Sequence, residues 1–170
     1  MHDVDRLFRE YHQPLVRYLT RRLGDRDWAE EVAQETFLRA ARQESITSER
    51  SWLFAVATNL VRDEARKDSR RRRHLDLLRE QAKAEEAAAA RKALDQLTER
   101  DREALLMREE GLDYNEIASA LDLSVASVGT TLARARKRLV EAYEALQRDG
   151  WPGGGARATA PRGEGTHAAS

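Results

Sequence analysis

At 170 residues, with 35% charged residues and 6% aromatics, the chain is too thinly apolar for one large core and fits two compact helical units. It has no cysteine, which excludes disulfides, thiolate metal sites and cysteine nucleophiles. No apolar run approaches membrane-spanning length, the charged start MHDVDRLFRE is unlike a signal peptide, and a formal net charge of zero leaves only the distribution of charge to report on partners.

Residues 4–11 carry Val4, Leu7, Phe8 and Tyr11 at helical spacing. Pro14 suits a helix start, so a second helix is expected over 14–23, with Leu15, Tyr18, Leu19 and Leu23 inward and Gly24 as its stop. Asp27 to Glu30 reads as a variant capping box opening a third helix to about Arg42, with Trp28, Val32, Ala33 and Phe37 on its apolar face. A fourth helix over 51–67 turns Leu53, Val56, Ala57 and Leu60 inward. The run from 68 to 90 is basic, then Ala-rich and charged, without the periodicity of a core.

A second periodic block begins near Arg91. Thr98 is a helix cap with Leu105, Leu106 and Met107 inward and Gly111 at the end, and Asp113 with Glu116 forms a capping box for a short helix to Leu121. Asp122, Leu123 and Ser124 make a turn, and Ser124 caps a long helix from Val125 to about Gln147. The remaining tail, 150–170, is Gly/Ala/Pro-rich and is expected to be disordered.

Two features carry chemistry. Ile117, Ala118, Leu121, Leu123, Val128 and Leu132 have helix-turn-helix spacing, and the basic run RARKR follows on the second helix. At about 100° per residue, Asn59, Arg62 and Arg66 share one side of the fourth helix with Trp52 beside them, a face able to stack on unpaired bases and hold a backbone. Taken alone, each also reads as an ordinary amphipathic helix with a solvated basic face. The acidic helix start around Asp25 to Glu35 would repel DNA and suits a protein partner or plain solvation.

Together these residues resemble the extracytoplasmic-function sigma factors, the minimal group of the sigma-70 family. WAEEVAQETFLRAAR from Trp28 is similar to the family's core-binding segment, and WLFAVATN from Trp52, followed by Arg62, Arg66 and the arginine run at 70–73, to its minus-ten helix. REALLMREEGLDYNEIASALDLSVASVGTTL from Arg102, then ARARKRL, is similar to its helix-turn-helix module. The resemblance spans about residues 4–148. It implies an all-α fold of two small helical domains: a four-helix sigma-two bundle over 1–70 and a sigma-four helix-turn-helix domain over 91–148. A flexible linker over 71–90 would join them, and a disordered tail would cover 149–170.

The implied roles follow. Glu31, Gln34, Glu35 and Arg39 would dock on the clamp helices of RNA polymerase core; Phe37 lies in the same segment, but its spacing favours the core. Trp52, Asn59, Arg62 and Arg66 would capture the minus-ten strand, Asn59 reading a flipped base. Ser124, Ser127, Thr130, Thr131, Arg134 and Arg136 would contact the minus-thirty-five duplex. Implied partners are core polymerase through its clamp helices and flap, promoter DNA and an anti-sigma factor, in the cytoplasm, with no cofactor, metal, membrane insertion or catalysis.

One departure stands out. Where the family carries Lys and Arg on the recognition helix, this chain has Gly129 and Thr131, and 125–133 holds no charge, so a weaker grip on the minus-thirty-five element is expected. Two other readings compete. A stand-alone helix-turn-helix regulator of the LuxR-like type leaves the first block unexplained. A nucleic-acid enzyme holding metal at the acidic cluster lacks partner carboxylates elsewhere, and the four scattered histidines have no metal-ligand spacing.

Overall fold

The computed structural model describes residues 3–67 and 85–149, which form seven helices and no strand. The first module holds α1 (Val4–Leu23), α2 (Arg26–Ala41) and α3 (Glu49–Lys67). The second holds α4 (Glu85–Asp95), α5 (Glu99–Glu109), α6 (Tyr114–Leu121) and α7 (Val125–Arg148). The expected linker up to residue 84 and the tail from 150 lie outside the described residues.

The two helices expected over 4–11 and 14–23 are one continuous helix, α1. Pro14 lies inside α1 rather than opening a new helix. It removes the N–H that would bond the carbonyl of Glu10. Glu10 is exposed, so water can take that N–H's place, while Leu7 before the proline and Leu15, Tyr18 and Leu19 after it bury on the same core. Common burial keeps the two halves collinear. Gly24 ends α1 as expected, in a left-handed conformation (φ 67°), its N–H donating to the Thr20 carbonyl.

α2 starts earlier than its expected box. Asp25, not Asp27, is the cap, its carboxylate accepting from the N–H groups of Asp27 and Trp28. On α3 the buried face is rotated from the expected one: Leu53, Phe54, Ala57 and Val61 are buried, whereas Val56 and Leu60 are only half-buried. Phe54 packs against Tyr18 at 5.0 Å between ring centroids. The Tyr18 hydroxyl lies 2.7 Å from Thr58 Oγ1, pairing both groups inside the core.

In the second module α4 begins at Glu85, six positions inside the expected linker. The remaining caps fall where the sequence puts them. Thr98 accepts from the Asp101 N–H, and Asp113 and Glu116 form a reciprocal capping box. Asp122 takes the left-handed turn (φ 55°), and Ser124 caps α7. Ile117, Ala118, Leu121, Val128 and Leu132 interlock α6 with α7.

The two modules pack on each other, α3 against α6 and α1 against α5. Arg50 forks onto both carboxylate oxygens of Glu116 at 2.7 and 2.5 Å, and Ser51 Oγ donates to the Glu116 carbonyl. Arg17 donates to Glu110, Arg21 to Glu109, and Arg62 to Glu103. The Glu116 carboxyl is held below the usual carboxylate range, chiefly by the Arg50 hydrogen bonds and against its partial burial. A carboxyl with a depressed folded-state pKa contributes stability above its unfolded value and loses it as pH falls through the folded value. Acid titration should therefore loosen the α3–α6 contact below the ordinary carboxylate range, and Glu116→Gln should remove that part of the acid sensitivity, read by thermal denaturation across pH.

Candidate nucleic-acid interface

The helix-turn-helix frame projects the start of α7 into solvent. Ser124, Ser127 and Thr130 are exposed there, with Val125 and Ala126 beside them. Ser124 Oγ accepts the Ser127 N–H and lies 2.6 Å from its hydroxyl. The helix N-terminus favours an anion by its dipole and unpaired N–H groups. An edge of hydroxyls and a small apolar patch can meet base edges and a thymine methyl. Val125, 47% exposed, was not among the residues expected from sequence; an apolar residue at the solvent end of a recognition helix was the available signal.

Thr131 is only 5% exposed, so its side chain is not part of this solvent-facing edge. Arg134 is exposed at the surface but donates two hydrogen bonds, 2.7 and 3.2 Å, to the fully buried Asp101 carboxylate. That pair ties α7 to the start of α5. Arg136 is exposed and forms no ion pair among the described residues, which leaves its guanidinium available for phosphate.

Gly129 sits inside α7, where a Cβ would meet only the Tyr114 ring at 3.7 Å, an ordinary contact. Gly129→Ala should thus raise stability by up to about 1 kcal/mol through helix propensity, measured by chemical denaturation.

On α3, Asn59 is exposed, Trp52 is half-buried against the core, and Arg62 is half-buried with its guanidinium on Glu103. Burial opposes the charge on Arg62, and the Glu103 carboxylate more than restores it. Arg66 falls within α3, on the same helical side as Asn59 and Arg62 by spacing; its side chain lies outside the described residues.

On α2, Glu31, Gln34 and Arg39 are exposed and Glu35 half-exposed, with Arg39 pairing to Glu35 at 3.3 Å. Leu38, 48% exposed, lies on that same outward stripe. Phe37 is buried, and exposed Phe8 stacks on His12 at 4.2 Å and meets the Phe37 ring edge-on at 5.2 Å. Phe8 and Leu38 were not expected as surface residues. Leu38 falls off the buried arc marked by Val32, Ala33, Phe37 and Ala40, a phase readable from the helical period.

Among the described residues no cluster of His, Asp or Glu could hold a metal ion, and no helix is long and apolar enough to cross a membrane.

Both modules are similar to known protein families. The sigma-70 region 2 family matches residues 7–73, and the sigma-70 region 4 family matches residues 87–139. The ferric citrate uptake sigma factor FecI of Escherichia coli is 30% identical over 145 residues, covering 76% of this chain and 84% of that protein. The RNA polymerase sigma factor YlaC of Bacillus subtilis is 29% identical, covering 81% and 90%. The ECF RNA polymerase sigma factor SigX of Bacillus subtilis is 28% identical, covering 84% of each. Among solved structures, the sigma factor RpoE of Bartonella quintana, in complex with the anti-sigma factor NepR, matches in fold with a TM-score of 0.60 at 21% identity, covering 80% of this chain and 95% of that one.

Proposed function

Because the chain belongs to the sigma-70 family, as an extracytoplasmic-function sigma factor that binds RNA polymerase core and directs promoter recognition and transcription initiation, we propose how its two modules divide that work. The first module, about residues 1–70, docks core polymerase with the outward stripe of α2 and captures the minus-ten strand with α3. Glu31, Gln34, Glu35 and Arg39 supply the polar docking contacts, with Leu38 and Phe8 as apolar anchors beside them. Asn59 reads an unpaired base, Trp52 offers a stacking edge, and Arg62 and Arg66 hold the strand. The second module reads the minus-thirty-five duplex through the start of α7. The chain itself performs no catalysis and works in the cytoplasm with the polymerase, and an anti-sigma factor restrains it.

The observation that carries this reading is the solvent-facing start of α7, where Ser124, Ser127 and Thr130 stand on a helix-turn-helix whose interior is fully packed. Its grip is weak, since the exposed part of the recognition helix up to Ala133 has no cation and Arg134 is engaged by Asp101. Introducing a positive side chain with Gly129→Lys should steepen the log-affinity versus log-salt slope of promoter binding by about 0.9.

Promoter-specific transcription with purified core polymerase tests the whole. Initiation that requires this chain is the expected result. Sequence-specific binding to DNA without core, and no initiation with it, would point to a stand-alone regulator instead.

A further inference from the structure

A groove of about 660 Å³ lies where α4, α5 and α7 meet, walled by Leu94, Leu105, Leu139, Val140 and Tyr143. Its wall is left open to water: Leu94, Leu139 and Tyr143 are only half-buried, and Val140 is 55% exposed. Apolar surface in water carries a free-energy cost that an apolar cover removes, and a concave patch of this kind is a binding surface. Arg21 and Glu109, paired at 3.3 Å, and the exposed Glu144 give the groove its polar rim.

The sequence just past α7 supplies a cover of matching chemistry. Val140, Tyr143, Glu144 and Gln147 share one face of α7, so the groove extends to the last turn before Arg148. Trp151 follows four residues after Gln147, a span of about 13 Å at full extension. It is the one large apolar residue of 150–170.

The residues around Trp151 favour a reversal of the chain. Asp149 caps α7 with its N–H on the Ala145 carbonyl. Gly150 then stands where helix stops favour glycine, and an apolar residue in the next position commonly folds back on the last turns of the helix. Pro152 cannot carry a helix onward. Further along, Arg157 and Arg162 outnumber Glu164, a sign opposite to that of Glu144 on the rim. A ligand on so short a tether has an effective concentration in the millimolar range, so even a weak apolar contact is populated.

We propose that the segment 150–170 docks on this groove, with the Trp151 indole as its anchor against Leu139, Val140 and Tyr143. Docking covers the open apolar wall of the second module and fills the space that another apolar helix would need.

Nuclear magnetic resonance of the full chain tests this, because its three tryptophans give separate indole signals. Trp151→Ala identifies the Trp151 signal by its loss. Nuclear Overhauser contacts are expected from that indole to the methyl groups of Leu139 and Val140. Val140→Lys, at an exposed position, should return the Trp151 signal to its free-chain position and leave those of Trp28 and Trp52 in the first module unmoved. Trp151→Ala, outside the helices, should also speed amide exchange several-fold over 143–148 at the end of α7. A Trp151 signal already at the free-chain position in the unmodified protein would overturn the proposal, as would exchange over 143–148 that Trp151→Ala leaves unchanged. So would a shifted signal that Val140→Lys does not move, since the indole would then rest elsewhere. With Trp151 free, self-association abolished by Val140→Lys would assign the groove to a second copy of the chain. Groove methyl signals that move only on addition of core polymerase would assign it to the polymerase. Either outcome replaces the docked segment.

Discussion

Leu132→Ala should cost about 2–5 kcal/mol and unfold the second module while leaving the first intact. Leu132 is fully buried where α7 crosses α6, alongside Val128 and Ile117. The cavity lies at the contact that fixes the recognition helix. A module of this size has only about 0.05–0.15 kcal/mol of stability per residue, so the loss approaches its whole stability. Hydrogen exchange should show protection lost in α5 to α7 and kept in α1 to α3. Binding to core polymerase through α2 should persist, whereas minus-thirty-five contacts should disappear. Equal loss of protection in both modules would mean that they fold as one cooperative unit, against the division proposed here.

What the sequence made legible was local. The Asp113–Glu116 box, the Thr98 and Ser124 caps, the Gly24 stop and the left-handed Asp122 each depend on groups within a few residues. Periodicity along α6 and α7 was equally readable, because Ile117, Leu121, Val128 and Leu132 are large and regularly spaced.

What escaped depends on distant neighbours. Pro14 predicted a break, but burial of Leu7 and Leu15 on one core outweighs the missing hydrogen bond. The α4 helix was missed up to Arg91 because its buried side is Ala89 and Ala93, and small residues give a weak hydrophobic signal. Rotation of the α3 face follows from Phe54 meeting Tyr18, a partner on another helix. Burial of Thr131 follows from the packing of α7, not from its own polarity.

The charged residues of the candidate site show the same limit. Arg62 and Arg134 were legible as cations on useful faces, and both have a carboxylate partner that spacing along a helix does not reveal. Glu103 lies 41 positions from Arg62, and Asp101 lies 33 from Arg134. The two pairs differ in consequence. Arg134 and Asp101 both belong to the second module, so their pair braces that module internally. Arg62 and Glu103 sit on opposite modules, so their pair ties α3 to α5 across the contact between the modules.

Asn59→Ala isolates base capture from these ion pairs. Asn59 is exposed and its side chain makes no hydrogen bond among the described residues, so its truncation should leave the melting temperature unchanged. As the proposed reader of an unpaired base, it should contribute about 1–3 kcal/mol to holding the opened strand, which is roughly five- to 150-fold in open-complex stability. The affinity for core polymerase should not change, because the docking stripe proposed above lies on α2. Arg62→Ala should behave differently, weakening strand binding and removing the Glu103 ion pair together. On a promoter fragment already melted across the minus-ten element, the Asn59 defect should persist, since this side chain would act on the unpaired base itself. A defect that vanished on pre-melted DNA would place Asn59 in duplex opening rather than in base capture.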